Sequence, residues 1–314
     1  MSLRVAYDER SSEHEAPFGH PESFARVDVS VRALREEGFG DTLVAYSTGG
    51  FFKGGEGELT RVHDPAYLAF LREDLAGRRG FLNADTFYAP GSVEIAWRSA
   101  GLGIAITRDV LAGEVERGLA LVRPPGHHAE RRRGKGFCLL NNVALAAAEA
   151  RARGARVAVV DFDVHHGDGT QQAFWEDPDL LFVSLHRLGP RIYPGTGGIE
   201  ERGGGAGEGM TANFPLAAGA DRAVYVEIFD HHVGPRLQSF APDLIFVSAG
   251  FDAHVADPIS DTALDDTGYD EIIARLCEWS DRWCAGRMVV FLEGGYVLRA
   301  LSRGVVTLIR RMLG

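Results

Sequence analysis

Short apolar runs and longer amphipathic segments alternate along most of the chain. Runs such as residues 157–160, which are rich in Val, are typical of strands buried on both faces of a sheet. Segments such as 92–112 and 267–285 repeat apolar residues every three or four positions, which is typical of helices. The alternation predicts an α/β fold with a mainly parallel sheet flanked by helices on both faces. Because no long polar linker interrupts it, we expect one domain over residues 1–314.

The pattern gives approximate bounds for each element. Seven strands are expected, at residues 4–7, 43–46, 119–122, 157–161, 181–185, 244–248 and 288–292. Eight helices are expected, at residues 21–37, 65–75, 92–112, 141–153, 170–175, 221–240, 267–285 and 298–313. In an open parallel sheet, sites form at the carboxyl ends of the strands, so polar residues that follow these strands are candidates for function.

Two of the predicted strands are followed by candidate metal ligands. Asp163 and His165 come after the run at 157–160, and residues two apart in an extended chain point to the same face. Asp252 follows a second apolar run, at 244–251. Catalytic zinc takes three protein ligands and keeps one position open, so these three residues form a candidate zinc site.

A series of motifs extends this interpretation over most of the chain. In chain order they are Gly19-His-Pro-Glu22, Arg123-Pro-Pro-Gly-His-His-Ala129, Gly136-Phe-Cys-Leu-Leu-Asn-Asn142, the segment from Asp161 to Asp168, Ser184-Leu-His186, Tyr193-Pro-Gly-Thr-Gly197, Ala249-Gly-Phe-Asp-Ala-His254 and Glu293-Gly-Gly-Tyr296. Together they resemble the zinc-dependent deacetylases, a family of histone deacetylases and acetylpolyamine amidohydrolases with an arginase-like fold. The Arg-Pro-Pro-Gly form resembles the class II branch and its bacterial relatives.

The resemblance implies a set of roles for the residues after the strands. Zinc on the three ligands would polarise an amide carbonyl and lower the pKa of bound water toward about 7. His127 and His128 would share the general base and general acid work, and we expect His128 to be the base. The carboxylates behind them would be Asp161 and Asp168, respectively. Tyr296, after two flexible glycines, would donate to the oxyanion.

The resemblance also implies a substrate tunnel and a second cation. Phe137 and Tyr193 match the aromatic residues that enclose the alkyl chain of the acetylated amine, and Gly136 would add close backbone contact. Such a tunnel selects a linear substrate with a terminal acylamide. A potassium ion is expected beside Asp161, Asp163, His165, Ser184 and Leu185.

Charge narrows the expected partners. The formal net charge of -11 disfavours a nucleic-acid-binding surface and favours cationic substrates, so we expect acetylpolyamines to be turned over at least as well as acetyl-lysine. Glu13, Glu15 and Glu22 are candidates for an acidic rim. Ile259 stands where some polyamine-selective relatives have a glutamate. The basic run at 131–135 is interpreted as a solvated loop.

Membrane and secretion signals are not apparent in the sequence. No apolar run approaches the roughly 20 residues of a membrane span, and the N-terminus lacks the pattern of a signal peptide. Three cysteines, Cys138, Cys277 and Cys284, form no disulfide framework. We therefore expect a cytoplasmic protein without a membrane partner. The sequence leaves its oligomeric state open.

Two other function classes stay open. Ureohydrolases share the fold but bridge two manganese ions, and the stretch at 252–257 superficially invites that reading. A non-catalytic protein that binds acetylated amines would be expected to lose a zinc ligand or the tyrosine. The paired histidines and Tyr296 argue against both alternatives, and a metal count per chain separates all three.

Overall fold

The computed structural model describes residues 2–45 and 57–314, where one sheet of eight parallel strands forms the centre. Its strands are β1 (Leu3–Tyr7), β2 (Leu43–Ala45), β5 (Arg117–Leu121), β6 (Val157–Asp161), β7 (Leu180–Arg187), β8 (Thr211–Leu216), β9 (Leu244–Ala249) and β10 (Met288–Leu292). They lie in the order β2-β1-β5-β10-β9-β6-β7-β8. A separate antiparallel pair is formed by β3 (Gly80–Phe81) and β4 (Phe87–Tyr88).

Helices cover both faces of the sheet. They are α1 (Ala25–Glu36), α2 (Pro65–Phe70), α3 (Ser92–Ala112), α4 (Asn142–Ala152), α5 (Asp168–Ala173), α6 (Arg222–Ile228), α7 (Gly234–Phe240), α8 (Asp266–Cys284) and α9 (Leu298–Leu313). Successive strand residues alternate between two apolar layers: Val160 packs in the layer with α1 and α6–α9, and Val159 packs in the layer with α2–α4. This arrangement confirms the predicted fold class, because burial on both faces is what the continuous apolar runs indicate.

All seven predicted strands are present, and the eighth, β8, was not predicted. Its sequence contains Asn213 and Pro215, which are typical of turns rather than of strands. Because β8 pairs with β7 alone, it forms an edge of the sheet, where proline is tolerated. Residue 46, the predicted end of the second strand, lies outside the described residues.

The helix predictions differ from the structure at four places. The segment predicted at 65–75 is α-helical only over Pro65–Phe70 and continues as a π-helix over Leu71–Leu75, and the helix predicted at 170–175 lies at Asp168–Ala173. The segment predicted at 221–240 is two helices, α6 and α7, joined by a π-helical turn at Phe229–Val233. The first helix begins at Ala25 rather than at residue 21, and the preceding segment carries Glu22 into the interior beside Arg123. The loops after β5, β6, β9 and β10 meet at the carboxyl edge of the sheet. That the whole chain is one domain stays a prediction.

Candidate active site

Three potential ligands converge at the carboxyl ends of β6 and β9. One donor atom each of Asp163, His165 and Asp252 lies within 4.8 Å of the other two. Both carboxylates are fully buried, and the imidazole is partly open to a cavity. The structure therefore brings together the three residues predicted as metal ligands, in a cluster that could hold a metal ion.

The environment of this cluster fits a divalent metal. Asp252 Oδ2 is buried without a hydrogen-bond partner, and His165 Nδ1 lies 3.2 Å from it. The backbone of Gly294 closes the other side, where an added Cβ would lie 2.0 Å from the same oxygen. Buried acceptors without donors are rare because they are costly, and carboxylate oxygens beside an imidazole nitrogen are ligands typical of zinc.

The charges of the cluster favour a bound cation. Burial disfavours the imidazolium form of His165, but the hydrogen bond to Asp163 and the charges of Asp163 and Asp252 outweigh it and raise the pKa of His165 to about 10. Two carboxylates that share one low-dielectric site repel each other unless a positive charge lies between them. The site therefore stabilises a cation.

Two histidine–aspartate pairs stand beside the cluster. His127 Nδ1 lies 2.9 Å from Asp161 Oδ2, and His128 Nδ1 lies 3.0 Å from Asp168 Oδ1. The two imidazole rings are 4.0 Å apart, and both line the cavity. The pairs have the composition that the sequence predicted. Because each carboxylate occupies Nδ1, Nε2 is left for groups in the cavity.

The two histidines differ in their electrostatic surroundings. Burial opposes the charged form of His127, but the charges of Asp161 and Asp163 raise its pKa well above the usual value. Burial and the neighbouring charge of His127 lower the pKa of His128 to about 3. Adjacent histidines with opposite pKa shifts are typical of sites that move protons.

Glu293 is a buried residue of this site to which the sequence analysis gave no role. Its Oε2 accepts hydrogen bonds from the backbone N–H of Gly126, at 2.7 Å, and of His127, at 3.2 Å. Burial raises the pKa of Glu293 to about 7. A carboxylate directly after β10 follows the same strand-end rule that identified Asp163 and Asp252, so the signal was available. Glu293 fixes the backbone that carries the paired histidines.

Lys135 contradicts the interpretation of residues 131–135 as a solvated loop. Its ammonium forms ion pairs with Glu130, at 2.6 Å, and with Asp168, and its side chain is only 15% exposed. Arg132 and Arg133 do face solvent, as expected. The difference arises because the loop turns back, through bridges between Glu130 and Arg133 and between Lys135 and Cys138.

Tyr296 reaches the cavity from the loop after β10. Gly295 before it has φ +114°, a value that favours glycine. The Arg26 guanidinium donates to the Gly295 carbonyl at 2.8 Å and lies 5.1 Å from the centre of the Tyr296 ring. Asp257 accepts the Tyr296 N–H at 2.8 Å. The sequence analysis missed Arg26 and Asp257 because they are distant in the chain from the motif that they hold.

A cavity of about 250 Å³ joins these groups. It is lined by Asp85, Pro125, His127, His128, Gly136, Phe137, Asp163, His165, Arg191, Ile192, Tyr193, Ile259, Gly294 and Tyr296. The three predicted tunnel residues, Gly136, Phe137 and Tyr193, are among them. Gly136 has φ +55°, and an added Cβ would lie 2.4 Å from the His128 ring, so a larger residue does not fit there. Beside the three potential metal ligands the cavity is narrow, and aromatic side chains form its walls.

The residues predicted for potassium lie on two neighbouring strands. Asp161 of β6 is in register with Ser184 of β7, and Leu185 follows it. Ser184 Oγ lies 2.8 Å from His186 Nδ1. Asp161 Oδ1 accepts a hydrogen bond from the Asp163 N–H, so this region holds the backbone of one of the potential metal ligands.

The prediction that the N-terminal glutamates form an acidic rim around the cavity is wrong. Glu22 is completely buried and accepts a hydrogen bond from Arg123 at 2.8 Å. Glu13 pairs with Arg10, Glu15 pairs with Arg79, and neither glutamate lines the cavity. The reason is that nearby arginines neutralise these carboxylates in the folded chain.

The structure also gives information on membrane-spanning helices and on disulfides. Among the helices of the described residues, none combines the length and the apolar character needed to cross a membrane. The three cysteines are buried and form no disulfide.

Comparisons with known proteins agree with the fold. The family model for the histone deacetylase domain matches residues 20–312. A probable deacetylase of Archaeoglobus fulgidus is 38% identical over 299 residues, covering 94% of this chain and 82% of that protein. The histone deacetylase-like amidohydrolase of Pseudomonas aeruginosa is 41% identical over 241 residues, covering 76% of this chain and 63% of that protein.

A solved structure and a human relative extend the comparison. The crystal structure of the HDA15 HD domain matches with a TM-score of 0.90 at 36% identity, covering 99% of this chain and 91% of that one. The human polyamine deacetylase HDAC10 is 36% identical over 326 residues, covering 100% of this chain and 46% of that protein. With the family model matching nearly the whole chain, this protein belongs to the histone deacetylase domain family and is a hydrolase of the deacetylase class.

Proposed function

We propose that this protein is a zinc-dependent amidohydrolase that removes acetyl groups from linear acetylated amines, either acetylpolyamines or acetyl-lysine. The observation that carries the proposal is that one narrow cavity joins a cluster of metal ligands, two histidine–aspartate pairs and a tyrosine. Each of these parts supplies a different requirement of amide hydrolysis.

Asp163, His165 and Asp252 are the residues that would hold zinc. When bound, zinc supplies Lewis-acid activation of an amide carbonyl and of water. The unpartnered oxygen of Asp252 and the raised pKa of His165 support this assignment. Asp161, Ser184 and Leu185, together with Asp163 and His165, would hold potassium behind the zinc ligands and so orient them.

His127 and His128 carry the proton transfers in this proposal. His128 lines the cavity with its Nδ1 fixed by Asp168, so its Nε2 is placed to take a proton from water. The His127–Asp161 pair lies alongside, and the two pairs share the work of returning a proton to the leaving amine. Microscopic roles within such a coupled pair belong to the pair as a whole.

Tyr296 and the aromatic walls act on the substrate itself. The Tyr296 phenol lines the cavity and would donate a hydrogen bond to the oxygen that becomes negative when water adds to the carbonyl. Phe137 and Tyr193 would enclose the methylene chain and keep water from it. We place the protein in the cytoplasm, in keeping with its three free cysteines.

Metal content measured together with turnover tests this proposal. Purified protein should contain one zinc ion per chain and should hydrolyse acetyl-lysine peptides or acetylated putrescine, cadaverine or spermidine. Two manganese ions and no deacetylation would instead support a ureohydrolase. A protein without metal that binds these compounds but does not hydrolyse them would be a non-catalytic binding protein.

A further inference from the structure

Arg191 lies at the mouth of the tunnel, in the loop between β7 and β8. It lines the same cavity as the metal ligand Asp163 and the wall residue Tyr193. Asp163 is fully buried, whereas Arg191 is exposed and Ile259 is partly exposed. This gradient of exposure places the guanidinium at the outer end of the cavity, away from the reacting amide.

The Arg191 guanidinium is free to bind a ligand. Within residues 2–45 and 57–314 the structure gives it neither an ion pair nor a side-chain hydrogen bond, whereas Arg187, the last residue of β7, binds Asp261 at 2.6 Å. Arg191 also has φ +67°, which is uncommon for a residue with a side chain. Backbone strain of this kind is concentrated at functional sites.

Charges at the mouth do not follow the net charge of the chain. Asp85 lines it, but Oδ1 of this carboxylate accepts hydrogen bonds from the Thr86 hydroxyl at 2.7 Å and from the Gly136 N–H at 3.2 Å. Ile259 contributes an apolar surface. Among the described residues that line it, the mouth thus has one hydrogen-bonded carboxylate, Asp85, and one unpaired cation, Arg191, so these residues give no excess of negative charge that would attract a polycation.

We propose that Arg191 determines substrate specificity by binding a carboxylate at the far end of the substrate. The preferred small substrates are then acetylated amines that also carry a carboxylate, such as free Nε-acetyl-lysine. When the acetamide of Nε-acetyl-lysine lies at the three potential metal ligands, the methylene chain of the compound follows the aromatic walls and the carboxylate emerges at the mouth. A guanidinium binds a carboxylate through two parallel hydrogen bonds, which offset the repulsion from the α-ammonium of Nε-acetyl-lysine, whereas an acetylpolyamine offers only an ammonium, which would be repelled.

This inference rests on the proposed deacetylase function, and three matched substrates test it. Nε-acetyl-lysine, its α-carboxamide and N-acetylcadaverine share the same acetamide on a five-carbon chain that ends in an ammonium, and only the first has a carboxylate. We expect kcat/KM of the wild-type enzyme to be about tenfold higher for the acid than for the carboxamide, mainly through KM. In Arg191→Gln this ratio should fall to about one.

A second arginine variant controls for the charge of the whole molecule. Arg282 is exposed near the end of α8. Two residues later, the Cys284 thiol donates to the Pro242 carbonyl just before β9 begins, so Arg282 lies near the amino ends of the strands, opposite to the active site. Arg282→Gln makes the same change of charge and should keep the wild-type ratio. An equal kcat/KM for the acid and the carboxamide in the wild type, or the same loss in Arg282→Gln, would overturn the role of Arg191.

Binding separates this inference from the proposed function. Calorimetry on Tyr296→Phe and on Tyr296→Phe/Arg191→Gln, in which turnover is strongly slowed, gives the Kd of the acid and the carboxamide. A Kd about tenfold lower for the acid, found only when Arg191 is present, supports the inference even for a protein that hydrolyses nothing. Equal Kd values for the two compounds overturn it, and they do so even if the enzyme is an active deacetylase.

Discussion

Lys135 is ion-paired with Asp168, the same carboxylate that lies 3.0 Å from His128 Nδ1. A continuous series of polar contacts therefore runs from the Lys135 ammonium in the loop after β5, through the Asp168 carboxylate, to the His128 imidazole in the cavity. Burial raises the pKa of Asp168, but His128 and Lys135 outweigh it and lower this pKa to about 2. Lys135 thus keeps Asp168 ionised, and it also partly neutralises the negative charge that Asp168 presents to His128.

Replacing Lys135 by methionine should change the pH dependence of catalysis. Without the ammonium, Asp168 stabilises the imidazolium form of His128 more strongly, so the pKa of His128 rises. Because a base must be neutral and the pKa of His128 starts at about 3, the acid limb of kcat/KM should move to higher pH, with a several-fold loss at the most acidic pH at which the enzyme works and little change near pH 8. Arg133→Met is the control, since Arg133 pairs with Glu130. An unchanged acid limb in Lys135→Met would show that the ion pair is only structural.

Asp252→Ala should lose the metal. Asp252 Oδ2 has no hydrogen-bond partner, so removing this carboxylate removes a ligand without breaking a bond to that atom. We expect a severe loss of zinc, measured by metal analysis after dialysis, together with loss of turnover. Asp270→Ala removes a carboxylate that pairs with Arg311 on the surface and should leave the zinc content unchanged. Full zinc and full activity in Asp252→Ala would remove Asp252 from the site.

Tyr296→Phe should fold and bind zinc normally but turn over substrate about 10²–10³-fold more slowly, the usual loss for one oxyanion donor. The ring stays in place because Arg26 and Asp257 hold its backbone. Tyr269→Phe is a matched control, because it removes a buried hydroxyl without a hydrogen-bond partner. A wild-type rate for Tyr296→Phe would mean that another group stabilises the oxyanion.

Glu22 should contribute stability that depends on pH. Burial opposes ionisation, but Arg123 and His14 outweigh it and lower the pKa of Glu22 below its unfolded value of 4.5. A lowered folded pKa means that the contribution is complete above pH 4.5 and is lost as the pH falls below it. Glu22→Gln leaves buried arginine charge without its partner, so we expect a loss of about 3–5 kcal/mol at pH 6.

Urea unfolding at pH 6 and pH 3.5 measures this effect. The difference in free energy of unfolding between the wild type and Glu22→Gln should be smaller at pH 3.5. Glu13→Gln, which loses an exposed ion pair with Arg10, should change stability by less than about 1 kcal/mol. A Glu22→Gln protein as stable as the wild type at pH 6 would contradict the prediction.

Much of the fold follows from local pattern. The apolar runs that became β6 and β9 are buried on both faces, and this requirement is visible in the sequence without knowledge of any partner. Asp163, His165 and Asp252 could be found for the same reason, because parallel strands bring their carboxyl ends to one edge. Glu293 obeys the same rule and could have been assigned with them.

The sequence by itself determined the fold class, the approximate positions of seven of the eight strands of the central sheet and the residues proposed as metal ligands, because periodicity and strand-end position act over a few residues. Only the tertiary structure decided which charges are neutralised: Glu22 is buried against Arg123, Lys135 turns inward to Asp168, and Arg191 at the mouth has no ion pair with any residue that the structure describes. The same holds for β8, whose proline is tolerated because the strand lies at an edge. Ion pairs and edge positions depend on partners distant in sequence, and composition and net charge carry no information about where those partners lie.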